Sequence, residues 1–289
     1  MMASPVVAMS PLWLLPLWAI FLIVLATLVL GHEAGVQLRR RLRGEAREGS
    51  SDDGIGGNYL TASLALLALL VAFSFGMAVE RYNSRRNLVN EEANAISTAY
   101  RRLQALDEPG RTKLIRMLRP YVEARVAFSR ASTHDQFYQA EARTDLLQPQ
   151  YWSAILQTGG AHDPMFRPVL DTTNAMFVVA ASRRAAIEAV IPRVILLVLL
   201  LYAAIAAIFM GYSHPLTQRY LLASTIQFVL LALAVSLIVD LDRPRTGFVE
   251  VSQMPLYRAA AVILNADPAA LPAPAHAPTK RSGGKEEER

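Results

Sequence analysis

The hydrophobic residues of this chain gather in four runs that contain no charged side chain. The runs cover residues 12–31, 59–79, 194–211 and 220–239. A helix needs about 20 predominantly apolar residues to cross a hydrocarbon core of about 30 Å, and each run has about that length. The pattern therefore predicts four transmembrane helices, and it argues against an ordinary soluble protein with one very apolar core helix.

The segment between the second and third runs, residues 80–191, has a helical pattern. Its apolar positions recur every three or four residues, which gives one stripe along a helix: Val89, Ala93, Ile96, Tyr100 and Leu103. Because no helix breaker follows the second run until Asp107, we predict one helix from Tyr59 to Leu106. No alternating strand pattern is present. The predicted fold class is all-α, with four transmembrane helices and a helical extramembrane segment between the second and third spans.

Breakers and caps divide the rest of this segment into further helices. Pro109 is expected in the first turn of a new helix, and Thr133 can cap the next one. Pro149 is expected to break or kink that helix. A last helix is expected to start at Asp163-Pro164 and run through Val190.

The remaining boundaries follow from composition. An N-terminal tail (1–11) precedes the first two spans (12–79), which an Arg- and Gly-rich loop (32–58) connects. The extramembrane helices (80–191) precede the third and fourth spans (192–239), an acidic and basic segment (240–265) and a tail rich in Ala and Pro (266–289) that we expect to be disordered.

Overall charge changes this picture little. The net charge is +5, with 18% charged residues against about 25% in soluble proteins. Much of the arginine lies beside the apolar runs, where membrane topology and anionic lipids explain it, so we expect no nucleic-acid partner. The chain has no Cys, which excludes disulfides and thiolate metal sites.

Conventional catalysis has no support in the sequence. The five His residues are scattered, and no phosphate-binding loop, nucleophile elbow or zinc motif is present. Glu91 and Glu92 are adjacent on a helix, so their side chains point about 100° apart and favour a solvated or salt-bridged face over a catalytic pair. We predict a protein that is not an enzyme and needs no cofactor.

Charges at the ends of the second and fourth spans are the most informative polar feature. Asp240 and Asp242 lie at a helix C-terminus, where the macrodipole disfavours carboxylates by up to about 1 kcal/mol. Arg81, Arg85 and Arg86 follow the second span, which must end on the same side of the membrane. We therefore expect either ion pairs or a bound cation between these ends. The kind of metal, if one binds, stays open.

Polar and aromatic residues inside the spans suggest two roles. Phe73, Phe75 and Met77 form an apolar run that can gate a pore by dewetting. Ser74 and Gly76, in the same run, can instead allow close helix packing. Gln227, a further pore or gate candidate, needs a hydrogen-bond partner within the bilayer and should face protein or water.

Two stretches of sequence resemble an uncharacterised bacterial family of bestrophin-like domain proteins. The first runs from Glu80 to Tyr100 and includes the polar residues Glu91, Glu92 and Asn94, and the second runs from Asp240 to Gly247. The resemblance extends over about residues 10–262. It implies a layout similar to that of the bestrophins, which are pentameric ion channels with four spans. Phe73 and Phe75 then resemble the apolar neck of such a channel, and Asp240 and Asp242 resemble its calcium-binding acidic stretch, although two acids replace a longer run.

We therefore expect a homo-oligomeric ion channel or pore in the inner membrane, with the lipid bilayer and small inorganic ions as partners. A membrane scaffold or sensor that binds a protein partner through its extramembrane helices is the alternative. An intramembrane enzyme is a weak third option.

Overall fold

The computed structural model describes residues 15–43, 53–158, 164–213, 218–244 and 247–266. Within these ranges the chain forms helices and no strand, which confirms the all-α class. The helices are α1 (Leu17–Arg43), α2 (Asp53–Gln104), α3 (Gly110–Arg130), α4 (His134–Thr158), α5 (Phe166–Glu188), α6 (Arg193–Ser213), α7 (Gln218–Asp242) and α8 (Met254–Asn265).

Within the described ranges, four helical stretches are long and apolar enough to cross a membrane, as the sequence predicts. They are Leu17–Arg41, Tyr59–Gln104, Phe166–Ser213 and Leu222–Asp242. The third includes both α5 and α6, and its uncharged part lies in α6. The predicted tails, apart from Ala266, lie outside the described residues.

The second span continues without a break into the extramembrane helix, as predicted. α2 has 52 residues, which corresponds to about 78 Å at about 1.5 Å per residue.

One boundary predicted from the sequence is wrong, and a helix that a proline was expected to break or kink continues past that proline. The predicted loop 32–58 is largely helical, because α1 continues through Arg43 and α2 already begins at Asp53. Arginine is a good helix former, and no breaker precedes Gly44. Pro149 does not break its helix, since α4 runs past it to Thr158. Buried residues beyond the proline, Tyr151 and Ile155, hold that part of α4 in the core.

The chain forms two compact units. The first contains residues 1–86 and 184–251, and the second contains residues 87–183 and 252–289. Residues 87–183 of the predicted extramembrane segment lie in the second unit, together with α8. In the second unit, α3 packs against α4 and α8.

The first unit is built around close contact between α1 and α6. Gly31 and Gly35 on α1 lie one helical turn apart and face α6. A Cβ atom on Gly35 would overlap the carbonyl oxygen of Ile208, and a Cβ atom on Gly211 would overlap that of His32. Small residues at this spacing let two membrane helices approach until their backbones touch. The Gly-x-x-x-Gly spacing was a signal available in the sequence.

Replacing Gly35 with alanine should destabilise the protein. The added methyl group meets backbone rather than a flexible side chain, so the two helices must move apart, at a cost of about 1–3 kcal/mol. We expect a lower melting temperature for Gly35→Ala in detergent. Gly76→Ala is the matched control, because a Cβ atom on Gly76 meets nothing within 4 Å in this chain. Equal melting temperatures for both variants would contradict this account of the packing.

Candidate functional site

The end of the fourth span is capped by an arginine from the second. The buried guanidinium of Arg85 on α2 donates hydrogen bonds to the carbonyl oxygens of Leu241 and Asp242, the latter at 3.2 Å. These carbonyls belong to the last turn of α7, which has no intrahelical partners for them. A cation is favoured at this negative end of the helix. Arg85 therefore offsets the unfavourable placement of the two aspartates.

The Asp242 carboxylate connects the same place to the start of the third span. Both of its oxygens lie 3.1 Å from the backbone N–H of Ile191, two residues before α6. Arg81 and Arg85 also interact with this carboxylate electrostatically. We call Arg85, Ile191, Leu241 and Asp242 the span-end cluster. It joins the second, third and fourth spans through hydrogen bonds.

The Asp240 carboxylate holds the chain that follows α7. Its two oxygens accept hydrogen bonds from the backbone N–H groups of Phe248, at 3.0 Å, and Val249, at 3.2 Å. A Cβ atom on Gly247 would overlap this carboxylate, so only glycine fits there without displacement. The turn leaves the Phe248 side chain exposed.

The described part of the chain brings together no three His, Asp or Glu side chains that would hold a metal ion. Asp240 and Asp242 instead bind backbone N–H groups on different segments. Arg86, the third predicted arginine, is exposed.

A second polar group is buried in the extramembrane unit. Glu92, which is fully buried, accepts hydrogen bonds from Arg125 of α3 and Arg183 of α5. Arg125 also lies 3.3 Å from a carboxylate oxygen of Glu141 on α4. We call Glu92, Arg125, Glu141 and Arg183 the buried ion-pair cluster. Its two carboxylates and two guanidinium groups balance in charge, as burial requires.

The cluster extends to two further groups. The guanidinium of Arg183 donates a hydrogen bond to the Gln253 side chain, beside the start of α8. Arg125 lies over the ring of Phe128, 4.1 Å from its centroid. Burial by itself would lower the pKa of Arg125, but the Glu92 carboxylate, the Tyr121 side chain and the Glu141 carboxylate together outweigh that effect, so the pKa lies above its usual value.

The other polar residues of the first family-like stretch lie outside this cluster. Glu91 and Asn94 are exposed on α2, although Glu91 is the direct neighbour of Glu92 in the chain.

Sequence reasoning missed Arg125, Glu141 and Arg183. One signal was available for Arg125. It occupies the buried stripe of α3 between Leu118, Tyr121 and Phe128, where a charge requires a partner. No local pattern marks which residues those partners are.

The pore candidates lie on different sides of α2. Ser74 is buried in the unit, whereas Phe73 and Phe75 are 63% and 40% exposed. Two residues correspond to about 200° around a helix, so these rings flank the buried face on opposite sides. Met77 is half-buried, and Gln227 is exposed on α7. The run of aromatics therefore does not form a single face of α2.

The described part of the chain is that of an all-helical membrane protein with four candidate spans and a helical extramembrane unit. The family model for the Bestrophin-like domain matches residues 16–256, and the chain belongs to this family. No curated protein matches the sequence.

Solved structures support the same fold. Two crystal structures of a bacterial bestrophin homologue from Klebsiella pneumoniae, each with a point mutation, are similar to this chain at 12% identity. The TM-scores are 0.60 and 0.63, with 85% and 86% of this chain and 99% of the homologue covered in each case.

Neutralising Glu92 should strongly destabilise the protein. In Glu92→Gln, two buried guanidinium groups lose their shared carboxylate, and breaking a buried ion pair typically costs about 3–5 kcal/mol. Thermal unfolding in detergent should show a large loss. Glu91→Gln, one residue away on the exposed face, should change stability by no more than about 0.5 kcal/mol. A similar loss in both variants would contradict the assigned role of Glu92.

Removing the Asp240 carboxylate should release the chain after α7. Asp240→Ala deprives the amides of Phe248 and Val249 of their acceptor, so their hydrogen exchange should accelerate. Exchange measured by mass spectrometry over residues 244–252 checks this. Glu250→Ala, an exposed acidic neighbour, serves as the control. Unchanged exchange in Asp240→Ala would refute the anchoring role.

Proposed function

We propose that the protein forms a homo-oligomeric pore in the inner membrane that conducts small inorganic ions, with α2 of each copy lining the pore. Membership of the bestrophin-like family supports a channel of this layout. The observation that carries the proposal is the exposure of the second span. Only 17% of its most apolar stretch is buried within the chain, against 33% for each of the other three spans.

The exposed side of α2 suits contact with further copies. Its exposed residues include two small ones, Ala72 and Gly76, and a Cβ atom on Gly76 meets nothing within 4 Å in this chain. Small residues permit close approach of a helix from another copy. The central exposed side then lies between Phe73 and Phe75, so one ring can point into a pore while the other contacts a neighbouring copy or lipid.

Planar-bilayer recording of the purified protein, with Phe73→Ala and Phe75→Ala as a pair, tests the proposal. Truncating the ring that points into the pore widens an apolar constriction and lowers its dewetting barrier. We therefore expect conductance or open probability to rise in one variant and to stay near wild type in the other. Because both positions lie on the same helix, each variant is the control for the other.

Two results would overturn the pore. The first is the absence of conductance in the wild type and in both variants. The second is a monomer or dimer in detergent, since neither has room for a central pore lined by α2. Either result would favour a non-catalytic scaffold whose extramembrane helices bind a protein partner.

A further inference from the structure

The polypeptide passes between its two units three times. The first passage lies within α2, between residues 86 and 87, and the second lies within α5, between residues 183 and 184. The third lies in the chain between α7 and α8, at residues 251 and 252.

In the first unit, the span-end cluster contains residues from the chain beside each of these three passages. Arg85 immediately precedes the first passage, and Ile191 follows the second. Leu241 and Asp242 end the helix that leads to the third. Arg85 donates hydrogen bonds to the α7 carbonyls, and the Ile191 N–H donates one to Asp242. These bonds connect the three segments of chain beside the passages.

In the second unit, the buried ion-pair cluster and its neighbour Gln253 contain residues from the chain beside each of the same three passages. Glu92 follows the first passage, and Arg183 lies at the second. Gln253 follows the third. Arg183 donates hydrogen bonds to both Glu92 and Gln253, so a single guanidinium connects the segments of chain beside all three passages.

We propose that Arg85 and Glu92 are positioning residues that set the axial register of α2, one in each unit. A helix packed only by apolar contacts can slide by one residue or one turn, whereas directed bonds to fixed backbone groups permit a single register. Arg85 supplies such bonds to backbone carbonyls. Glu92 accepts hydrogen bonds from the guanidinium groups of Arg125 and Arg183, which are themselves buried, so a shifted register of α2 would leave buried charges without their counterion.

The consequence for function rests on the proposed pore. Phe73 and Phe75 lie on α2 in the same unit as Arg85, so the register that Arg85 sets there also sets the height of these rings among the spans. The positioning itself does not depend on conduction and is testable without it.

Distance measurements between spin labels test the positioning directly, because the chain has no native Cys. Leu69→Cys on α2 and Leu233→Cys on α7, both exposed and both in the first unit, accept one label each. Labelled chains are co-assembled with an excess of unlabelled chains, so that each measured distance lies within one copy.

In this background we expect Arg85→Ala to broaden the distance distribution and to shift its mean by about 1.5 Å or more, the rise of one helical residue. Arg86→Ala removes the same side chain from an exposed neighbouring position and should leave the distribution unchanged. Identical distributions for Arg85→Ala and Arg86→Ala would overturn the role of Arg85. If Arg85→Ala does not fold, Arg85→Lys replaces it, since lysine keeps the charge but lacks the planar fork that reaches two carbonyls.

The second unit has its own pair of variants. Spin labels on Thr98→Cys of α2 and Leu146→Cys of α4, both exposed, measure a distance within that unit. Glu92→Gln should shift or broaden their distance distribution, and Glu91→Gln should not. Equal distributions in a folded Glu92→Gln protein would overturn the role of Glu92.

Recording from the same variants separates this proposal from the pore. If the protein conducts, Arg85→Ala should change its open probability and Arg86→Ala should not. A wild-type protein that does not conduct contradicts the proposed function, whereas the distance measurements still decide the positioning.

Discussion

The buried carboxylate of Glu92 is the constraint on which the extramembrane unit depends. It is fully buried and shared by two guanidinium groups that are themselves almost without exposure. Burying such charges is costly unless every one is paired, and here the pairing is complete only if α2, α3 and α5 all lie in one arrangement. Any other arrangement leaves a charge in the core without a counterion. The cluster therefore selects one packing of these helices rather than simply adding attraction.

The membrane spans are held in one arrangement by other interactions than the buried ion pairs of the extramembrane unit. Their shared core consists of apolar side chains such as Leu28, Ala206 and Ala232, and apolar packing by itself directs helices only weakly within lipid. Backbone contact at Gly35 and Gly211 fixes how closely α1 approaches α6. Arg85 and Asp242 then fix the ends of the second, third and fourth spans, because their hydrogen bonds go to backbone groups and not to mobile side chains.

The two aspartates after the fourth span illustrate how one pair of residues can serve separate tasks. Their closeness in sequence and their placement at a helix C-terminus indicate a shared charge partner, either arginine or a cation. In the folded chain, Asp240 turns towards the amides of Phe248 and Val249, whereas Asp242 turns towards Ile191. Backbone N–H groups satisfy both carboxylates, and Arg85 satisfies the helix end beside them.

The sequence by itself determined that the chain spans a lipid bilayer and that it forms helices. Hydropathy and the helical spacing of apolar residues are local properties, which a single run such as residues 59–79 already contains. The sequence also predicted the unbroken α2 and placed arginines and aspartates at the same membrane edge. Only the tertiary structure decided which neighbour of an adjacent pair is buried, as with Glu92 and Glu91 or Arg85 and Arg86, because their partners lie on other helices. Arg125 and Arg183, 33 and 91 residues from Glu92, meet it only when those helices pack. A local pattern carries no information about such distant pairing, and for that reason the buried ion-pair cluster could not be assembled from the sequence.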